Sequence, residues 1–338
     1  MSRSTYTERP LGASSAAPSA PALSRIAVIV PVYNGAHLIE GCLRALDAQT
    51  VDRRDVRVIV VDDGSTDGTR QVVKHLIANV RLSVTLIERT HAGPAAARNA
   101  GLAASDSPYV AFTDADVEVS PDWLERAVRR LDQDPSLAGI EGRTLAKGEK
   151  GTYTHQMENE RGRLYMTCNM IYRREAIAGG FDERFRMAFL EDSDVAFGVL
   201  DRGGTIEFVP DVLVRHLVLH EGPVKYWREA RKRFYNPLLF RKHPTAYRAL
   251  LKPVVPAFPA PYLDYLGAVF VLAVALISRA WIVAVPASLM AAWTFRRVAH
   301  VLRAKTLPAL IRAAAVPVAQ TAWVIAGMIR FRSFDLRI

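Results

Sequence analysis

From Arg25 to about Arg143, short apolar runs alternate with segments whose apolar positions recur every three to four residues. RIAVIV reads as a buried strand ending at Pro31. AHLIEGCLRALDAQ then places Leu38, Cys42 and Leu46 on one helical face. VRVIVVDD and TDGTRQVVKHLIA repeat the strand–helix pair, and LSVTLIE, GPAAARNAGLAA and YVAFTDAD continue it. This pitch predicts an α/β fold, a mostly parallel sheet flanked by right-handed crossover helices. Open sheets of this kind bind ligands beyond the carboxyl ends of their strands. Pro31, Asp62–Asp63 and Asp114–Asp116 all fall at such ends and are expected to face one crevice.

Past Glu141 the alternation loosens. RLYMTCNMIYRREAI predicts a strand running into a short helix, and FLEDSDVAFGVLDRG a helix with an acidic first turn. TIEFVPDVLVRHLVL reads as two short strands with a turn at Pro210–Asp211. WREARKRFYNPLLFRKH, basic and aromatic, reads as a helix lying along a membrane surface, and the proline-rich PVVPAFPAP as a linker. Uncharged runs then separate Asp264 from Arg279, Arg279 from Arg296, and Arg312 from Arg330. Each is marginal against the roughly 20 apolar residues a spanning helix needs. Flanking prolines lengthen the first, and Arg279 can snorkel from a tight turn. The expectation is a C-terminal membrane hairpin returning to the cytoplasm at Arg296, Arg297, Arg303 and Lys305. A third segment either spans or lies in the interface; a buried soluble helical domain is the alternative. The expected organisation is a disordered Ser/Ala/Pro-rich tail (1–24), an α/β domain (25–222), a basic interfacial helix region (223–252) and membrane-associated helices (253–338).

Charge sharpens this division. From Glu221 onward eighteen Lys and Arg face four Asp and Glu, leaving 26 basic against 30 acidic residues before it. The basic excess therefore travels with the apolar runs, which points to an anionic membrane surface and away from nucleic acid. Cys42 and Cys168 can form neither a disulfide framework nor a closed zinc site. That cysteine usage fits a reducing compartment, and no charged, apolar, small-residue signal sequence opens the chain.

Chemistry concentrates at the strand ends. Asp114 and Asp116 are two apart and share a face of an extended strand, an arrangement suited to a hard cation that also binds phosphate oxygens. Magnesium or manganese is the expected metal. A lone DxD is common on surface loops, so the pair needs company. VIVVDDGSTDGT supplies some. A capped β–α turn explains Ser65, Thr66 and Asp67, whereas the adjacent acids Asp62 and Asp63 need partners such as a nucleotide base or ribose offers. Glu191 and Asp192 open a helix whose dipole keeps carboxylates ionised. Ordinary helix-start charge is the plain alternative for that pair.

Six motifs stand in one order: PVYNG, VDDGSTDGT, AARNAG, TDAD, CNMIYRREAIAGGFDERF and LEDSDVAF. Together, over roughly Arg25 to His220, they resemble glycosyltransferase family 2, inverting enzymes of the Rossmann-like GT-A fold that use nucleotide-sugar donors. The membrane end resembles the cell-envelope branches of that family. The resemblance implies that Pro31, Tyr33, Asn34 and Asp63 line the base pocket, with Asp62 beside them, and that Arg98 fixes the donor. It gives Asp114 the ribose or sugar side, Asp116 the Mg2+ or Mn2+ on the diphosphate, and Asp192 of the Glu191–Asp192 pair the role of general base. A histidine after the acceptor strands sometimes completes coordination in such enzymes, which makes His216 a candidate ligand; a structural histidine is the alternative. Arg231, with Arg228 and Arg233, could grip the departing diphosphate or bind anionic lipid. Gly35 departs from the family, where many relatives carry Glu after the Asn.

The expected protein is thus a cytoplasm-facing transferase on the cytoplasmic membrane. It would move a sugar from a UDP- or GDP-sugar to a lipid-linked or glycan acceptor. A catalytically inactive nucleotide-sugar binder and a processive polysaccharide synthase are the rivals. WREAR is not the QxxRW motif usual in the latter.

Overall fold

The computed structural model describes residues 24–151, 153–222, 224–251, 260–278, 280–301 and 307–333. The expected tail and proline-rich linker lie almost wholly outside these ranges. The strands are β1 (Ile26–Val32), β2 (Val56–Asp62), β3 (Ser83–Glu88), β4 (Tyr109–Phe112), β5 (Val117–Val119), β6 (Leu137–Lys147), β7 (Thr154–His155), β8 (Met170–Arg173), β9 (Thr205–Leu217) and β10 (Leu219–His220). The helices between and after them are α1 (Ile39–Asp47), α2 (Thr69–Ile77), α3 (Pro94–Ala103), α4 (Trp123–Gln133) and α5 (Glu191–Asp201). They are followed by α6 (Lys225–Lys232), α7 (Asn236–Lys242), α8 (Pro244–Leu250), α9 (Ala260–Ile277), α10 (Trp281–Val301) and α11 (Leu307–Phe331).

Eight strands form one sheet in the order β3-β2-β1-β4-β8-β6-β9-β5. The first four are parallel, as the strand–helix pitch requires, and β8 and β5 run antiparallel to their neighbours. β1 and β2 are apolar on both faces because both faces are covered. Val28, Val30, Val58 and Val60 meet Leu43, Leu46, Val73 and Leu76 of α1 and α2. Ala27, Ile59 and Val61 meet Ala97 of α3, and Ile29 joins Phe112, Tyr172, Phe185 and Phe197 in a second core.

Three expectations are revised. TIEFVPDVLV forms one strand rather than two: β9 pairs with β6 throughout, and the ladder steps from Gly142↔Val209 to Arg143↔Leu213. Pro210 cannot donate to the ladder, so the chain bulges there without ending. The basic helix is broken into α6 and α7 by a 3-10 turn at Arg233–Tyr235. α7 does not lie along a surface, because Leu238, Leu239 and Phe240 are buried in the second core beside Val324 and Met328 of α11. Lastly, among the described residues no helix is long and apolar enough to cross a membrane, so the spanning hairpin is not found there. α9 and α10 do pack side by side, and they leave Phe270, Ile277, Leu289 and Trp293 more than half exposed.

Candidate active site

The crevice is built at the carboxyl ends of β1, β2 and β4. Two loops close its first wall. The Asn34 backbone is left-handed (φ 51°). Its side-chain oxygen accepts from Thr66 N at 2.9 Å, its own N–H donates to Ser65 Oγ at 2.8 Å, and Gly35 N donates to Thr69 Oγ1 at 3.0 Å. Pro31, the residue that ends the apolar run, sits in β1 opposite Val61. Tyr33 stands half-exposed with its ring stacked on His91, centroids 4.3 Å apart. This exposed aromatic pair at a strand end is a platform on which a planar base can stack.

The adjacent acids do not wait for a ligand. Asp62, fully buried, accepts from Arg70 Nε at 2.6 Å and from Ser65 N. Asp63, also buried, accepts from Gly93 N at 2.8 Å and Ala92 N at 3.1 Å, with His91 Nδ1 2.8 Å away. The two carboxylates therefore fix the turn and the loop before α3, behind the Tyr33–His91 ring pair. His91, which the sequence reading did not single out, is the residue Asp63 presents to that pocket.

The second wall carries Asp114, Asp116 and His216. β4 ends at Phe112, and the TDAD turn brings Asp114 and Asp116 out before β5. β5 pairs with β9 so that Val117 faces His216, and Leu217 N donates to the Asp116 carbonyl at 2.9 Å. His216 is buried with Nε2 3.5 Å from Asp116 Oδ1. Its Nδ1 lies 3.0 Å from the Leu217 carbonyl, which can only accept, so Nδ1 donates there and Nε2 is the ring nitrogen turned toward the carboxylate. Ligand atoms of Asp114, Asp116 and His216 all lie within 4.8 Å of one another. This set of two carboxylate oxygens and one imidazole nitrogen fits a divalent cation. Burial, together with the Asp114 charge, pushes the Asp116 carboxyl up to about 6, while His216 opposes the shift.

Arg98, on α3, binds the two acidic motifs into one unit. One guanidinium nitrogen donates to Asp114 Oδ1 and the other to Glu191 Oε1, both at 2.9 Å, while Arg98 itself is 3% exposed. Its Nε is buried and makes no hydrogen bond among the described residues. Glu191 also accepts from Phe189 N at 2.7 Å, and burial raises its carboxyl against the pull of Arg98. The neighbouring Asp192 differs. Its carboxylate accepts the N–H of Ser193 at 2.7 Å, its one hydrogen bond among the described residues, and remains partly accessible. Burial and the Glu191 charge push it up to about 7, the range in which a carboxylate takes and returns protons near neutrality. The two neighbours thus differ: Glu191 is committed to Arg98 and Phe189 N, whereas Asp192 is bound only lightly among the described residues. Asp194, two residues on, is committed to Lys242 and His243 and ties α5 to α7.

Arg231 is not brought to this cluster; its guanidinium lies 5.8 Å from the centroid of the Trp323 ring on α11.

Residues 27–192 match the family model Glycosyl transferase family 2. The pre-mycofactocin glycosyltransferase of Mycobacterium tuberculosis is 30% identical over 251 residues, covering 67% of this chain and 50% of that protein. The glycosyltransferase AglE of Haloferax volcanii is 40% identical over 106 residues, or 31% of this chain and 35% of AglE. The chain spans half or less of the length of either relative. In fold it is similar to the mannosyltransferase PcManGT of Pyrobaculum calidifontis, solved with GDP-Man and Mn2+. The TM-score is 0.57 at 24% identity, over 93% of this chain and 89% of that one. It is also similar to residues 1–349 of S. aureus TarS in complex with UDP-GlcNAc, with a TM-score of 0.52 at 16% identity over 92% and 93%. Through its residues 27–192, with their six ordered motifs and the crevice they build, the chain belongs to glycosyltransferase family 2.

Proposed function

We propose that the chain is an inverting, cation-dependent transferase moving a sugar from a UDP- or GDP-sugar to a lipid-linked or membrane-proximal glycan acceptor in cell-envelope glycan synthesis. The observation that carries this reading is the link through Arg98 from the cation-ligand cluster to Glu191, whose chain neighbour Asp192 keeps a partly accessible carboxylate. Asp114, Asp116 and His216 would hold Mg2+ or Mn2+, which when bound neutralises charge on a leaving diphosphate. Asp192 takes the proton of the acceptor hydroxyl as that oxygen attacks the anomeric carbon. The bond to the diphosphate oxygen breaks with its electron pair leaving on the nucleotide. Attack from the face opposite the leaving group inverts the anomeric centre.

Tyr33 and His91 offer the stacking surface for the base. The nucleotide sugars held by the two fold neighbours, GDP-Man and UDP-GlcNAc, define the donor class to test. The basic C-terminal third, with Phe270, Ile277, Leu289 and Trp293 exposed, supports contact with the cytoplasmic face of a membrane. Release of free nucleotide from UDP- and GDP-sugars, with Mn2+ or Mg2+, is the direct test; no release from any donor removes the reading. Asp192→Asn should lower turnover by about 10²–10⁴-fold while nucleotide affinity is retained. Near-normal turnover would remove Asp192 as the base.

A further inference from the structure

Beside the crevice lies a cavity of about 650 Å³ lined by Arg184, Arg186, Arg241, Arg330 and Arg332. Its two acids, Asp182 and Glu183, leave a surplus of three positive charges. Neither acid neutralises the remaining guanidiniums. Asp182 is bound by Arg184 and by Lys242 at 2.9 Å, and Glu183 accepts from Asn99 Nδ2. Arg241 donates to the Phe331 carbonyl at the end of α11. The side chains of Arg186, Arg330 and Arg332 have no hydrogen-bonding or ionic partner among the described residues. Guanidinium forks left unpaired around a concavity match phosphate oxygens in charge and geometry.

The position of the cavity gives the anion a role. Gly93, whose N–H holds Asp63, has φ 100°, and a Cβ there would stand 2.5 Å from the carbonyl oxygen of Arg186. The two backbones are therefore packed together, and five residues beyond Arg186 the same loop reaches Glu191, with Asp192 next. On the other side the wall is aromatic, formed by Phe234, Tyr235 and Phe331. α11, which ends there, carries Ile325 and Ile329 more than half exposed. An anionic group seated among the arginines would thus have a reactive carboxylate on one side and an apolar surface on the other.

We infer that this cavity binds a phosphate or diphosphate group carried by the acceptor, an inference that rests on the transferase reading. The test uses the full chain with a chelator present and no donor, so that the cation cluster is silent, and inorganic pyrophosphate as the probe in calorimetry. Wild type should bind it, and Arg186→Gln, Arg330→Gln and Arg332→Gln should each weaken binding about tenfold. Arg54→Gln, an equal change of charge at an exposed site elsewhere, should leave affinity unaltered. No pyrophosphate binding, or equal affinity across all variants, would overturn the inference.

Vesicles then distinguish the source of the phosphate. Co-sedimentation with phosphatidylcholine vesicles that rises on adding phosphatidic acid, and falls back in Arg330→Gln/Arg332→Gln, assigns the site to a lipid phosphate. If pyrophosphate binding depends on the arginines but phosphatidic acid has no effect, the site belongs to a soluble phosphate-bearing acceptor. Nucleotide release from a donor without acceptor tests the transferase reading separately.

Discussion

Removing Arg98 isolates what holds the crevice together. Arg98→Met leaves Glu191 buried without its counter-charge and Asp114 half-free, since their side chains are 4% and 27% exposed. Breaking a buried ion pair from one side costs about 3–5 kcal/mol. An independent limit comes from protonation. A glutamate with an ordinary pKa of about 4.3 can be neutralised at pH 7 for roughly 4 kcal/mol, so the penalty should not greatly exceed that. The melting temperature should fall by roughly 4–7 °C for a chain of this size.

The pH dependence identifies the cause. In the variant, the folded-state pKa of Glu191 lies well above its unfolded value. Its stability contribution is then fully present below the unfolded pKa and lost as pH rises. The deficit relative to wild type should therefore shrink toward about 1 kcal/mol near pH 5. Arg98→Met/Glu191→Met, with both charges removed, should recover much of the loss. Thermal melts followed by near-ultraviolet circular dichroism, which reports on buried Trp123, would measure all three proteins at both pH values. A deficit below about 1 kcal/mol at pH 7, a deficit independent of pH, or a double variant no better than Arg98→Met would refute the reasoning.

Two further outcomes are expected. Transfer should rise with pH through about 7 as Asp192 loses its proton, and a kcat profile that falls across that range would exclude a carboxylate base. Asp116→Ala and His216→Ala should each abolish the enhancement of donor affinity by Mn2+ in calorimetry. Unchanged affinity with and without the metal would remove the cation cluster.

The parallel half of the sheet was legible because its strands are apolar on both faces and its helices carry a clear three-to-four-residue period. The acidic turns at the strand ends were legible for the same reason, since Asp114–Asp116 and Asp62–Asp63 interrupt runs that otherwise bury completely. His216 could be named only through resemblance; its register opposite Val117 depends on β5 pairing with a strand nearly a hundred residues away. The different fates of Glu191 and Asp192 were hidden similarly. Nothing local separates two adjacent acids, and the guanidinium that claims one of them comes from 93 residues upstream. Asp63 needs partners as a buried acid, and backbone amides of Ala92 and Gly93 supply them without leaving a mark in composition. In the C-terminal third, basic residues flanking NPLLF suggested a surface, whereas the central residues face α5 and α11 and the charges merely frame them.

The bulge in β9 has a consequence for how this crevice can vary. Between Gly142 and Arg143 on β6 the chain advances one position, while β9 advances from Val209 to Leu213. Those surplus residues work as slack. The first half of the strand can be adjusted to suit the packing beneath it, and residues gained or lost around Pro210 can be absorbed there. The second half, clamped between β6 and β5, keeps its histidine beside Asp116 regardless. Length changes at this kink should thus be far better tolerated than any change of spacing between Leu213 and His216.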